Sequence, residues 1–162
     1  MGQDVASRSG SELERVYRAT ASRLWRALYA YTRNTVIADE ALSEAFAQAL
    51  RRGAAVRHPE KWIWAAAFRI AAGELKAGRS QQRVDSMPEA SYEIPETVEI
   101  LSVLARLSPK QRGALLLRYY GGYSTSEVAD ILDTSPAAVR VHLMRGRRRL
   151  RQILTESETG KG

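Results

Sequence analysis

The chain has 162 residues, 44% of them hydrophobic, no cysteine and a formal net charge of +7. That is enough apolar material for a packed core, which excludes global disorder, and the lack of cysteine excludes disulfides and thiolate metal sites. No apolar run approaches the roughly 18 residues of a membrane span, and the stretch from Met1 to Glu12 is too polar for a secretory signal, so a cytoplasmic protein is expected.

Charge is unevenly placed. Residues 1–78 carry 12 basic and 8 acidic side chains, residues 79–96 carry 2 and 4, and residues 97–162 carry 11 and 6. Two basic blocks around an acidic segment suggest two lobes that each meet a polyanion; a pair of ordinary basic surfaces is the plainer alternative.

No alternating run of β-branched residues supports a sheet, so an all-α fold is predicted. The first helix runs from about Ser11 to Thr32, with Leu13, Tyr17, Leu24, Leu28 and Tyr31 at helical spacing. The second runs from about Ile37 to Arg52, with Ala38, Leu42, Ala45, Phe46 and Ala49 on one stripe. Glu40, Glu44, Ala47 and Arg51 lie off that stripe. They form a mixed-charge face that suits either a partner helix or plain solvent, and acids near a helix start also suit its dipole. The third helix opens at Pro59, a favoured first position, and continues to about Lys76. Its core arc is Ile63, Trp64, Ala67, Phe68, Ile70, Ala71 and Leu75. Trp62 projects elsewhere, with Lys61, Arg69, Gly73 and Lys76. An exposed aromatic among cations suits stacking on an unpaired base; packing of Trp62 on the first helix is the alternative.

Residues 79–95 contain two prolines, many polar side chains and no sustained period, which predicts a mobile linker. Helix returns from about Thr97 to Arg106. Ser108-Pro109-Lys110-Gln111 combines a cap serine, proline at the first helical position and glutamine three residues after the cap. That helix stops at Gly121-Gly122, where glycine permits a left-handed cap. Ser124 to Glu127 is a second capping box, and Ser135-Pro136 opens a last helix reaching about Leu154. The predicted organisation is three helices in a domain over 1–78, a linker over 79–95, four helices in a domain over 96–155, and a disordered tail over 156–162.

Thr125 to Leu132, the turn Asp133-Thr134-Ser135 and the helix from Pro136 make a helix-turn-helix. Helices joined by so tight a turn cross closely, and Ala129 is small enough for the crossing. On the last helix Val139, Leu143, Gly146, Leu150 and Leu154 form the core stripe. The opposite arc holds Arg140, Val141, Met144, Arg145, Arg148 and Arg151. Six arginines and no acid lie between Pro136 and Leu154. Ala137, Arg140, Val141, Met144 and Arg145 are placed to reach base edges, and the later arginines to clamp phosphates. A solvated arginine-rich helix or a peptide-binding hairpin is the competing reading.

The stretch from Leu107 to Arg151, in particular Leu-Ser-Pro-Lys-Gln-Arg, Tyr-Ser-Thr-Ser-Glu-Val-Ala and Ser-Pro-Ala-Ala-Val-Arg, resembles the fourth conserved domain of extracytoplasmic-function sigma factors. The N-terminal half, through Ala38-Asp-Glu-Ala-Leu-Ser-Glu-Ala-Phe-Ala-Gln-Ala-Leu, is similar to that family's second domain. The resemblance implies a factor that binds core RNA polymerase and promoter DNA. The family's minus-35 base-reading positions fall on Arg140, Val141, Met144 and Arg145, and with the reading of the helix above the expected minus-35 contacts are Ser135, Ala137, Arg140, Val141, Met144, Arg145 and Arg148; the family uses the third helix for the minus-10 element, where Lys61, Trp62, Arg69 and Lys76 are the expected contacts. The resemblance implies polymerase contacts from Asp39, Glu40, Glu44, Gln48 and Arg51, and an anti-sigma protein as a possible regulator. The third helix departs from the family pattern. It has Ala66-Ala67-Phe68-Arg69 and then Gly73-Glu74-Leu75-Lys76 where the family is more basic, leaving less positive charge for phosphates.

No enzyme chemistry is expected. His58 and His142 have no metal-ligand partners at helical spacing, no glycine-rich phosphate loop follows a strand, and no cofactor or metal is predicted. A monomer is expected. The rival readings are a dimeric helix-turn-helix regulator acting without polymerase on a palindromic site, and a protein-binding module whose basic tail is incidental.

Overall fold

The computed structural model describes residues 2–78 and 97–160. They are all-α, as the sequence predicts, and fall into two compact units. The first unit holds α1 (Gly2–Thr32), α2 (Thr35–Arg52) and α3 (Pro59–Lys76); the second holds α4 (Thr97–Leu104), α5 (Pro109–Leu115), α6 (Thr125–Ile131) and α7 (Pro136–Thr159). The expected linker, 79–95, lies outside the described residues.

In the first unit α2 packs against both α1 and α3, and four alanines lie on its buried side. Ala38, Ala41, Ala45 and Ala49 are fully buried. They let α1 and α3 come close, and the larger side chains Leu24, Leu28, Ile37, Ile63 and Phe68 fill the space beside them. Phe68 stacks between Tyr31 of α1, ring centroids 5.4 Å apart, and Trp64 of its own helix, 6.0 Å apart. Tyr17 departs from the predicted core stripe. It is 46% exposed and touches the core only through an edge-on contact with Phe46.

The α1–α2 turn takes two residues. Arg33 adopts a left-handed conformation (φ 56°), and its N–H donates to Tyr29 O. Asn34 then caps α2, its Oδ1 accepting from Ile37 N at 3.1 Å. This cap starts α2 at Thr35, two residues before the predicted start. At the other end of α2, Gly53 has φ 56° and opens a short 3₁₀ turn (Gly53–Ala55) that brings the chain back to Pro59.

In the second unit both predicted capping boxes are formed. Ser108 Oγ accepts from Gln111 N while Gln111 Oε1 accepts from Ser108 N, both at 3.2 Å. Ser124 and Glu127 exchange the same pair of bonds at 3.1 Å. Helix α5 does not run evenly to its glycine stop. Its last turn, Leu116–Tyr120, widens to a π-turn in which Gly121 N donates to Leu116 O. Gly121 is required there by space, because a Cβ would lie 3.0 Å from Leu117 O; Gly122 is favoured by its φ of +75°.

Leu107, Leu117, Tyr123, Val128, Val139 and Ile153 are among the buried side chains of this unit. Arg112 is also buried, with Nη1 donating to Leu107 O at 2.7 Å. Gly146 lets α7 approach α5 closely, since a Cβ there would come within 2.9 Å of Leu115 Cδ1. Leu154 is not part of the core stripe; it is 54% exposed, while Ile153 takes the buried position. The disordered tail expected over 156–162 is helical through Thr159. Nothing between Leu154 and Gly160 breaks a helix, and Gly160 N donates to Glu156 O at its end.

The turn between α6 and α7 depends on Asp133, which holds φ 53° so that Thr134 N can donate to Ala129 O. A left-handed conformation costs an L-residue roughly 1–2 kcal/mol, less for aspartate, and costs glycine almost nothing. Asp133→Gly therefore stabilises this unit by about 0.5–1 kcal/mol, a rise of roughly 3–5 °C in Tm for a unit of this size. Thermal denaturation followed by circular dichroism checks the sign.

Candidate nucleic-acid interface

The helix-turn-helix is assembled by its caps. Ser124 fixes the start of α6, Asp133 the turn, and Ser135 the start of α7, its Oγ accepting from Ala138 N at 3.1 Å. Val128 and Ala129 on α6 and Val139 and Leu143 on α7 are buried, so the two helices share one core face. The opposite face of α7 is left to solvent. Ser135, Ala137, Arg140, Val141, Met144, Arg145 and Arg148, the seven residues singled out for the minus-35 contact, are all exposed on the helix or at its start. Ser135 is already engaged in capping, so its hydroxyl positions α7 before it can touch anything else.

Two further clusters on this unit were not legible in the sequence. Arg147 Nη1 donates to the hydroxyl of Tyr119, and the guanidinium of Arg118 lies 5.7 Å from the Tyr119 ring centroid. The π-turn presents Tyr119 in this way; a regular helix gives no hint of it. Lys110, in the first turn of α5, acts with Arg145 on His142, a half-buried side chain on the flank of α7. Burial, then Lys110, then Arg145 push the His142 imidazole below its ordinary pKa.

On the first unit, Glu44 gathers two of the other residues assigned to the polymerase contact. Its Oε1 accepts from Gln48 Nε2 at 3.1 Å and from Arg51 Nη2 at 2.8 Å, and these bonds lower the Glu44 pKa. The three side chains make one exposed polar cluster on α2, and Glu40 is exposed on the same helix. Asp39 is held differently. Its Oδ1 accepts from Nε1 of buried Trp25 at 2.6 Å, tying α2 to α1. A buried indole N–H needs such an acceptor.

Trp62 is not free in solvent. It is half-buried in a cleft of about 310 Å³ lined by Gln48, Arg52, Ala66, Arg69 and Ile70, and the Arg52 guanidinium lies 5.3 Å from its ring centroid. Arg52 was missed because only the 3₁₀ turn brings the end of α2 over the start of α3. Arg69 borders this cleft, whereas Lys61 and Lys76 are exposed elsewhere along α3 and do not line it.

Among known families, Sigma-70, region 4 matches residues 97–150, which run from the start of α4 into α7. The chain is 24% identical over 158 residues to the ECF RNA polymerase sigma factor BldN of Streptomyces coelicolor, covering 88% of this chain and 60% of that protein. It is 27% identical over 155 residues to the ECF RNA polymerase sigma factor SigC of Mycobacterium tuberculosis, covering 88% and 83%. It is 31% identical over 125 residues to the RNA polymerase sigma-E factor of Streptomyces coelicolor, covering 76% and 64%. The chain thus spans about three-fifths of the length of BldN and more than four-fifths of SigC. Among solved structures, the sigma factor RpoE in complex with the anti-sigma factor NepR from Bartonella quintana has a similar fold, with a TM-score of 0.65 at 20% identity over 90% of this chain and 96% of that one.

Two outcomes follow from these contacts. Asp39→Ala leaves the Trp25 N–H without its acceptor and destabilises the first unit by about 1–2 kcal/mol in urea denaturation, whereas Asp39→Asn keeps an acceptor and recovers most of the loss. The His142 imidazole titrates below its ordinary range by NMR, and Lys110→Ala or Arg145→Ala raises the midpoint. Protonation is disfavoured in the fold and not in the unfolded chain. The second unit therefore loses stability as pH falls through the ordinary imidazole range, and the loss levels off below the folded pKa.

Proposed function

We propose that this chain, whose residues 97–150 match Sigma-70, region 4, is an extracytoplasmic-function RNA polymerase sigma factor that binds core RNA polymerase and directs initiation at promoters whose minus-35 element is read by α7. The observation that carries this reading is the capped helix-turn-helix over Ser124 to Arg151. Its second helix carries six arginines and no acid between Pro136 and Leu154 and turns most of them away from the core, and it lies largely inside the stretch matched by Sigma-70, region 4.

In this reading Ala137, Arg140, Val141, Met144 and Arg145 approach base edges in the major groove, while Arg148 and Arg151 neutralise phosphates. Ser135 contributes by fixing the start of the helix. The cluster Glu44, Gln48 and Arg51, with Glu40 beside it, meets the polymerase as a polar face; Asp39 supports that face by holding α2 against α1. The minus-10 strand is taken by α3, with Trp62 and Arg69 at the cleft and Lys61 and Lys76 along the backbone path. The chain supplies recognition and strand capture and works in the cytoplasm as a monomer until it joins polymerase. An anti-sigma protein is its proposed regulator, a partner of the kind seen with RpoE in the similar structure.

The test is transcription by bacterial core RNA polymerase, with and without the chain, on a library of promoter fragments. Transcripts starting downstream of a shared two-element motif, lost in Arg145→Ala, are expected. With Arg148 and Arg151 on phosphates and Lys61 and Lys76 along the backbone path, log K for the promoter complex falls with log salt at a slope of about −3 to −4. If core polymerase is not bound and the chain alone protects an inverted repeat, a dimeric regulator replaces the sigma reading.

A further inference from the structure

The exposed face of α7 is not uniformly basic. At roughly 100° per residue, Ala137, Val141 and Met144 fall in one narrow strip down its middle, with Arg140 on one side and Arg145 on the other. Val141 and Met144 are 37% and 49% exposed, among the large apolar side chains most open to solvent in this unit. Neither packs into the core, which Val139, Leu143 and Gly146 reach from the opposite side of the helix. Solvent alone gives no reason for an apolar ridge between two arginines.

Residue chemistry narrows what this ridge reads. Between Pro136 and Arg151 there is no asparagine, glutamine, aspartate or glutamate. The helix therefore has no side chain for the paired contact to adenine and none to accept from the cytosine amino group. The nearest hydroxyl, Ser135, is taken up by the cap on Ala138 N. His142 lies on the flank, where Lys110 and Arg145 act on it. What remains is arginine, which pairs with the acceptor edge of guanine, and apolar carbon, which in the major groove has one distinctive partner, the C5-methyl of thymine.

We propose that the ridge Ala137–Val141–Met144 reads thymine methyl groups, so that the minus-35 element carries T·A pairs bracketed by guanines contacted by Arg140 and Arg145. This rests on α7 being the minus-35 reader and adds the chemistry of what it reads. The arginines set register on either side of the ridge.

The experiment uses the full chain with bacterial core RNA polymerase. A promoter duplex randomised over the minus-35 region is selected for holoenzyme binding. The selected duplex is then remade with deoxyuridine in place of thymidine, one position at a time, which removes only the methyl. Binding weakens about threefold to fivefold at each ridge-contacted thymine, the effect of losing one buried methyl group. Met144→Ala and Val141→Ala bind thymine and uracil duplexes equally at their own positions, while Met144→Leu keeps the discrimination. Arg145→Ala weakens binding to both duplexes and leaves their ratio unchanged. A selected element made only of G·C pairs overturns the proposal, as does equal binding of thymine and uracil duplexes by the unaltered chain, or discrimination that persists in both alanine variants. If the holoenzyme selects no minus-35 element at all, the sigma reading itself falls, an outcome visible before any uracil is introduced.

Discussion

Two of the helices that build the helix-turn-helix unit are too short to exist alone. Helix α6 has seven residues, and α5 has seven before the five of its π-turn, so neither exceeds the roughly 12–15 residues at which an isolated helix becomes even marginal in water. Everything else in the unit answers that constraint. The capping boxes at Ser108 and Ser124 satisfy N–H groups that so short a helix cannot spare. The longer α7 provides the surface on which both are laid, and Gly146 and Ala129 keep the crossings tight. Because α7 spends one face on this support, its other face is the one place where chemistry is free of packing demands, and that is where the arginines and the apolar ridge stand.

The same economy separates what was legible in the sequence from what was not. Caps announce themselves because they need particular side chains at fixed offsets, and Ser108, Ser124 and Ser135 with their prolines or acids could be read directly. The buried stripes of α2 and α7 were legible because a helix repeats. Periodicity failed where burial depends on what lies opposite. Tyr17 and Leu154 have the right phase yet are left about half exposed, at 46% and 54%. Asp39 has the phase of a surface acid yet serves the indole of Trp25. Trp62 sits under Arg52, a residue whose position depends on a short turn that the sequence signals only through one glycine. The end of α7 was missed for a milder reason. Thr155, Ser157 and Thr159 are weak helix formers, but once a long helix is under way each extra residue only has to extend it.

The two units handle charge in contrasting ways. On α2 the exposed charges satisfy one another, with Glu44 holding Gln48 and Arg51. A surface of this sort gains little in stability from its ion pairs, but it is preset in shape. On α7 no acid lies among the arginines through Arg151, and Arg147 finds only the neutral hydroxyl of Tyr119. Such a face repels itself in isolation and is relieved by a polyanion, which ties its affinity to ionic strength. A protein carrying both surfaces has one suited to a folded partner and one suited to DNA.

The π-turn at Leu116–Tyr120 has a consequence for descent as well as for shape. A turn closed from Gly121 N to Leu116 O holds one residue more than a regular helical turn. Deleting a residue there restores an ordinary turn while leaving the glycine stop and α6 where they are. The cost falls on the residues inside the turn, each of which shifts by one position, or about 100°, around the helix. Tyr119 would then leave Arg147. Chains related to this one can therefore differ in length by one residue at this point, and the gap would mark the gain or loss of the tyrosine that steadies an arginine of the recognition helix.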